Sequence, residues 1–405
     1  MRDKLQLFFQ IGKFLLLLLL IGVTFCFAMF QGGFLSWFLF YSFLPFALYS
    51  LAVFLYPMSD IVVERAFEAV DFKAGDELKV TITMKRKIPF PIFYMVLEDV
   101  VTESVFHHTT LQKAKAMVYP GFRKRIKLTY SIKELPRGEH IFSAVRFRMG
   151  DFFGVFEKSA TVTCENQLLV YPSFVDVAYR PLENRYDQGL TSSTVKIQKD
   201  TTMATGVREY QPGDRFSWIH WKSFARTNSL MTKEFEERQS HDVLLVLDRE
   251  TSATFEPMVT FTASVIRSII KKGAQVGLVS IGEDHVSFPI RGGEEHQRHL
   301  YYHLAKVRAD TPFALGKVLQ GEGINYQQSA TVMFITSSLS KRMIMSISNY
   351  AKRNSAVVIF LIKAKGASFT QEEKSLKAYA AARGIWVRPC FEGEFGSAFT
   401  EVKRA

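Results

Sequence analysis

The densest collection of reactive side-chain types in this 405-residue chain lies between residues 206 and 226. It reads Gly206-Val207-Arg208-Glu209-Tyr210-Gln211-Pro212-Gly213-Asp214-Arg215, then Ile219-His220-Trp221-Lys222-Ser223-Phe224-Ala225-Arg226. Pro212-Gly213 fits the central positions of a type II turn. The flanks interleave charge with Tyr, Trp and Phe, a composition that gives paired charges over aromatic faces. Two readings stay open. One is an ion-paired segment clamping two domains. The other is a recognition surface or pocket built from Arg208, Asp214, His220, Lys222 and Arg226, with Glu209, Tyr210, Pro212, Gly213 and Trp221 completing it. His220 with Asp214 has the types of an acid–base pair. No Ser or Cys nucleophile sits in a motif context, so no catalytic residue is assigned.

His296, His299 and His303 recur at spacings of three and four and share one helix face. Three imidazoles there could hold zinc, but the carboxylate of an HExxH-type motif is missing. A half-exposed polar face is the better reading. His107-His108 reads as an exposed loop pair. Cys26, Cys164 and Cys390 lie far apart with no CxxC spacing, which excludes a disulfide framework and a zinc ribbon. Without GxGxxG or a Walker A loop, nucleotide binding has no support.

The elements that must position these residues begin with an apolar leader. No charged side chain occurs from Phe14 to Ser59, and Gln31-Gly32-Gly33 divides the run into stretches of about 14–30 and 34–56. Each approaches the ~20 residues that cross a bilayer as a helix, and the Gly pair suits the turn of a hairpin. Pro45 is tolerable in the second span if neighbouring groups re-satisfy the freed carbonyl. A cleaved signal peptide competes for the first stretch. The long apolar run, the missing small-x-small site and the second span argue against it. Arg2, Lys4 and Lys13 flank the first span, and the turn is uncharged. The positive-inside rule then puts both termini in the cytoplasm. A net charge of +12 fits attraction to an anionic lipid leaflet better than specific nucleic-acid recognition. Lys85-Arg86-Lys87 and Arg123-Lys124-Arg125 are the candidate contacts.

Residues 60–175 alternate apolar and polar side chains, as in Leu78–Met84, Arg125–Ile132 and Ile141–Arg148, and predict an antiparallel β-sandwich. Residues 176–240 hold a Thr/Ser-rich linker and the charged aromatic segment. From 241 to 405 short apolar runs (Val243–Leu247, Val276–Ile281, Thr331–Ile335, Val357–Ile362, Ile385–Val387) alternate with helices near 256–272, 294–308, 313–320, 341–353 and 371–383. That order predicts a mostly parallel α/β sheet. Thr370-Gln371-Glu372-Glu373 has the form of a capping box.

The stretch REYQPGDRFSWIHWKSFARTNSLMTKEFE, residues 208–236, closely resembles the signature of the bacterial domain-of-unknown-function 58 family. The resemblance extends to PRGEHIFSAVRFRMGDFFGVF at 136–156 and to the two spans, and so covers most of the chain. It implies a membrane-tethered protein with a β domain and a von Willebrand factor A-like (Rossmann-type) α/β domain. Members are commonly encoded beside MoxR-type AAA+ ATPases and transglutaminase-like membrane proteins, which implies a scaffold or adaptor with such an ATPase as partner. The resemblance also implies a place for a metal-ion-dependent adhesion site, Asp-x-Ser-x-Ser with a later Thr and a final Asp, at the C-terminal end of the first α/β strand. Asp248, Ser252 and Thr311 match. Glu250 replaces the first Ser, and Thr336-Ser337-Ser338 stands where the final Asp is expected. Glu250 could ligate a divalent cation such as Mg²⁺ itself, or pair with Arg249 or an Arg of the signature segment and close the site. No cofactor is assigned on this pattern. A metal-assisted hydrolase using Asp248, Glu250 and His220 is the alternative function.

Overall fold

The computed structural model describes residues 2–69, 71–103, 114–180, 204–212, 214–235, 242–311, 315, 330–351 and 356–399. His107-His108, Gly213 and nearly all of the helix expected at 313–320 lie outside them. The chain divides into two compact units, Met1–Pro172 and Ser173–Ala405.

The first unit opens with helices α1 (Arg2–Gln31) and α2 (Phe34–Leu55), both long and apolar enough to cross a membrane. Gly32 makes the turn between them with a φ of +64°, a left-handed conformation natural to Gly, and its N–H bonds the Ala28 carbonyl at 3.2 Å. The β region follows as two sheets. Strands β1 (Ile61–Phe67), β3 (Leu78–Arg86) and β6 (Arg125–Ile132) form an antiparallel sheet in the order β1-β3-β6. The second sheet has the order β2-β8-β7-β4-β5, with β2 (Phe72–Lys73), β4 (Tyr94–Glu103), β5 (Lys115–Val118), β7 (Gly138–Gly150) and β8 (Glu157–Tyr171). Its pairings are antiparallel except β2 with β8. The two sheets share one core. Val63, Leu78, Ile82 and Met84 from the first meet Met95, Leu97, Phe142 and Phe147 from the second.

Alternation places charge inside at three points. Arg65 is buried on β1, where its guanidinium pairs with the equally buried Asp99 and donates to the Phe142 carbonyl at 3.2 Å. Tyr130 donates to Asp99 Oδ2 at 2.6 Å, an oxygen it shares with Arg65 Nε at 3.1 Å. Burial against the Asp99 charge pushes the Tyr130 phenol far above its usual range. Arg86, read from sequence as part of a basic surface, is buried instead. Its Nε and Nη1 each reach a carbonyl, of Arg123 and Phe90, at 2.6 Å. The cause is register: Arg86 is the last inward position of β3, whose side chains alternate strictly from Leu78 onward.

The second unit is an α/β layer structure. Its six-stranded sheet has the order β13-β12-β11-β14-β15-β16, from β11 (Val243–Asp248), β12 (Val276–Ile281), β13 (His285–Arg291), β14 (Thr331–Thr336), β15 (Ala356–Lys363) and β16 (Ile385–Phe391). All pairings are parallel except β12–β13. The antiparallel edge strand β13 is absent from the sequence reading; its inward positions are only half-buried, and Pro289 within the run argues against a strand. Val243, Leu245 and Leu247 face one core with helix α4 (Phe255–Lys271) and helix α5 (Glu294–Lys306). Leu244 and Val246 face the other core with α6 (Lys341–Ala351) and α7 (Gln371–Ala381). Burial on both faces is why β11 is a continuous apolar run. The Thr370 capping box forms with both reciprocal bonds.

Part of the expected linker region is structured. β9 (Ala204–Glu209) and β10 (Met231–Phe235) pair antiparallel, and a short helix, α3 (Trp221–Thr227), lies between them.

Candidate functional site

The chain leaves β11, crosses to β12 on one side, and returns through β14 on the other. This makes the C-terminal ends of β11 and β14 the switch point of the sheet, where α/β proteins most often bind ligands. Two loops meet there. Asp248 ends β11 and is 1% exposed, and the Thr336 hydroxyl at the end of β14 donates to its Oδ2 at 2.7 Å. The Glu250 N–H donates to Asp248 Oδ1 at 3.1 Å. Burial pushes the Asp248 carboxyl up from 3.8 to about 6, against the lowering effect of those two hydrogen bonds. Thr336 Oγ1 also lies 3.1 Å from the Ser338 carbonyl, a second acceptor for its single proton.

Glu250 accepts from the Ser338 hydroxyl at 3.0 Å and is bridged through its backbone to Thr311. The expected partner Arg249 turns elsewhere. It pairs with Asp310 and donates to the carbonyls of Arg308 at 3.0 Å and Asp284 at 3.2 Å. Gly282 permits this approach, since a Cβ there would lie 2.4 Å from Asp310 Oδ1 and 2.7 Å from Arg249 Nε. Ser252 lies 3.4 Å from the Thr254 hydroxyl.

These residues do not fit a dedicated divalent-ion site. Thr336 stands where the pattern wants an acid, and its hydroxyl donates to Asp248 in place of adding a second negative charge. Among the described residues no group of three or more His, Cys, Asp and Glu is placed to hold a metal ion. The geometry is a closed hydrogen-bonded junction with one raised carboxyl. Thr336 and Ser338 stand at the position the sequence marked for the final acid, whereas the pairing of Asp310 with Arg249 escaped sequence reasoning. The available signal for Asp310 was its place beside Thr311, the Thr of the adhesion-site pattern.

The charged aromatic segment forms its own local structure. Arg208 on β9 donates to Asp214 at 2.7 Å, and the Gln211 N–H donates to the other Asp214 oxygen at 3.0 Å. The Arg208 hydrogen bond, helped by that of Gln211, holds the Asp214 carboxyl below its usual range. The Asp214 N–H closes the turn onto the Gln211 carbonyl at 3.0 Å. The Tyr210 and Phe216 rings stack 6.2 Å apart, and Arg215 lies over Trp218. His220 caps α3: its Nδ1 accepts from the Ser223 N–H at 3.2 Å and lies 2.7 Å from the Ser223 hydroxyl. Its near partner is therefore Ser223, where sequence proximity pointed to Asp214. Pro212, Glu209, Trp221, Lys222 and Arg226 are exposed, and Asn228 ends α3 in the left-handed conformation.

The helical histidines do not converge. His296 lies 2.8 Å from the Val276 carbonyl, His299 is exposed, and the His303 ring packs 5.1 Å from that of Phe288. All three cysteines are free, and burial raises the Cys390 thiol to about 12.

A long apolar helical hairpin, a mixed-sheet β region, and an α/β sheet with a charged aromatic hairpin define a two-unit protein with two candidate membrane helices. The chain matches the family described as "Protein of unknown function DUF58" over residues 206–372. It is 38% identical over 393 residues to "Uncharacterized protein YeaD" of Bacillus subtilis (strain 168), covering 96% of this chain and 97% of that one. It belongs to the DUF58 family. Among solved structures, proximal thread matrix protein 1 from the mussel byssus is 14% identical, with a TM-score of 0.26 over 39% of this chain and 45% of that one. The sporulation control protein Spo0M of Bacillus subtilis is 17% identical, with a TM-score of 0.16 over 27% and 49%. Both likenesses are too slight to speak for a shared architecture.

Proposed function

We propose that this chain is a membrane-anchored docking protein and that its partner binds the exposed surface of the segment Arg208–Arg226. The observation that carries the reading is the composition of that surface. Phe216 and Trp221 are 75% and 64% exposed, beside exposed Lys222 and Arg226. Trp and Arg are among the residue types that dominate binding energy at protein interfaces. Lys222 and Arg226, four apart on α3, share a helix face and favour an acidic partner surface. The DUF58 resemblance points to a MoxR-type AAA+ ATPase as that partner. The three-layer arrangement around the parallel strands supports a von Willebrand factor A-like second unit. In this reading the hairpin holds both units at the cytoplasmic face, consistent with Arg2, Lys4 and Lys13 flanking the first span.

The test uses the full chain in detergent and a purified MoxR-type AAA+ ATPase. Trp221→Ala and the pair Lys222→Glu/Arg226→Glu are expected to lose capture. Melting should stay near the parent's, because exposed substitutions usually change stability by within about 0.5 kcal/mol. Capture that survives all three changes would remove this surface from the proposal. A reporter fused after Ala405 should be active only in its cytoplasmic form, and external activity would overturn the orientation.

A further inference from the structure

The connection between β7 and β8 is an uncharged aromatic turn, Phe152-Phe153-Gly154-Val155-Phe156, preceded by Asp151. It packs against α2. Ser50 donates to Asp151 Oδ2 at 2.6 Å, the Phe153 ring lies 5.4 Å from Phe46, and Phe152 lies 6.5 Å from Phe46 and 5.1 Å from Phe93. Phe93 in turn packs 4.9 Å from Tyr49. Nothing in the described structure covers the far side of these rings: Phe152 is 61% exposed, Phe153 63% and Phe93 49%.

The level of the turn along the hairpin can be read from the lysines. Lys13 donates to the Val155 carbonyl at 3.0 Å, and Lys158 donates to the carbonyls of Phe54 and Tyr56 at 2.8 and 2.6 Å. Phe14 and Phe54 pack beside them with ring centroids 4.9 Å apart. These ammonium groups mark the polar end of the hairpin, since Lys heads stay at the water boundary. From Phe54 to Phe46 is two turns of helix, about 12 Å at 1.5 Å per residue. Phe152 and Phe153 therefore sit at the depth of Phe46, well inside the apolar part of α2.

Part of the backbone of the turn is hydrogen-bonded within the protein. Asp151 N–H bonds the Phe156 carbonyl at 3.1 Å, Gly154 N–H bonds the Asp151 carbonyl at 3.4 Å, and Phe156 N–H bonds Asp151 Oδ1 at 3.2 Å. Irregular backbone survives at membrane depth when its polar groups are met within the protein. The Asp151 carboxylate is fully buried between Ser50 and the turn, so it faces no lipid.

We propose that the turn Asp151–Phe156, with Phe93 beside it, is an aromatic finger that inserts into the acyl chains of the bilayer alongside α2. The occupant of the exposed aromatic face is lipid, because that face is continuous with the exposed apolar surface of the hairpin at Phe46 and Leu48. The proposal rests on the reading that α1 and α2 span the membrane. Its consequence is a second point of attachment, which fixes the orientation of the β sheets relative to the bilayer.

The experiment uses the full chain in phosphatidylcholine vesicles, with Cys26→Ser, Cys164→Ser and Cys390→Ala removing the native thiols. A nitrobenzoxadiazole probe is placed on Phe153→Cys, and separately on Phe152→Cys in case the first variant does not fold. Leu16→Cys on α1 and Lys127→Cys on β6 are the hairpin and solvent controls. Lipids carrying a nitroxide partway along the acyl chain are expected to quench the finger probe as strongly as the Leu16 probe and to leave Lys127 bright. Quenching at Leu16 with a bright finger would refute the finger and leave the anchored hairpin standing. A bright probe at both Leu16 and the finger would refute both.

Discussion

Replacing Asp248 with Asn should make the second unit more stable at neutral pH. Burial raises the Asp248 carboxyl from 3.8 to about 6. The folded state therefore holds this proton more tightly than the unfolded chain does. Stability from this group is full below pH 3.8 and is lost as pH rises to about 6. A shift of about two units at ~1.36 kcal/mol each gives an upper bound of ~3 kcal/mol of destabilisation at pH 7. The Asn amide can take over the local bonds. Its oxygen accepts from the Glu250 N–H, and its NH₂ donates to Thr336 Oγ1, whose proton turns to the Ser338 carbonyl. Asp248→Asn is thus expected to gain ~1–3 kcal/mol at neutral pH, or roughly 2–12 °C in melting temperature for a unit of this size. Below pH 3.8 it should match the parent. The assay is thermal melting across that pH range, with hydrogen exchange at the β11 and β14 amides to assign the change to this unit. A parent-minus-variant difference that stays constant with pH, or a variant less stable at neutral pH, would refute the argument.

Three further outcomes follow from the same structure. Asp99→Asn leaves Arg65 buried without its counter-charge and should cost ~3–5 kcal/mol, read as a lower melting temperature. The apolar pair Arg65→Met/Asp99→Leu should recover most of that loss, and a double variant as unstable as Asp99→Asn would contradict the ion-pair account. Mg²⁺ titrated calorimetrically into the full chain should show no tight site, because Thr336 replaces the final acid of the adhesion-site pattern and Glu250 its first Ser. A micromolar affinity abolished by Asp248→Ala would show that the junction opens.

The signature segment divides between the two readings that its sequence left open. Arg208 and Asp214 do pair, but Arg208 remains about one-third exposed. Lys222 and Arg226 face solvent. The pair is part-buried, so Arg208→Ala should lower the melting temperature by less than the loss of a fully buried ion pair would, and the exposed side chains of α3 carry the functional weight. Gly213 lies outside the described residues, so the type of its turn is left as the sequence reads it.

What the sequence determined by itself was periodicity and local chemistry. The uncharged run ended as two helices joined at Gly32-Gly33, and Leu78–Met84 became the inward–outward strand β3. The apolar run Val243–Leu247 became a strand buried on both faces, and Thr370 formed its capping box. Each of these is fixed by neighbours within a few residues. The tertiary structure decided everything that depends on which strands pair. Asp248 and Thr336 are 88 residues apart and meet only because β11 lies beside β14. Arg65 finds Asp99 through the core shared by two sheets, and Arg86 turns from an apparent basic patch into a buried carbonyl clamp. A charge pattern along the chain carries no information on burial. Only pairing and packing decide whether a charged side chain meets water, a carbonyl or a carboxylate.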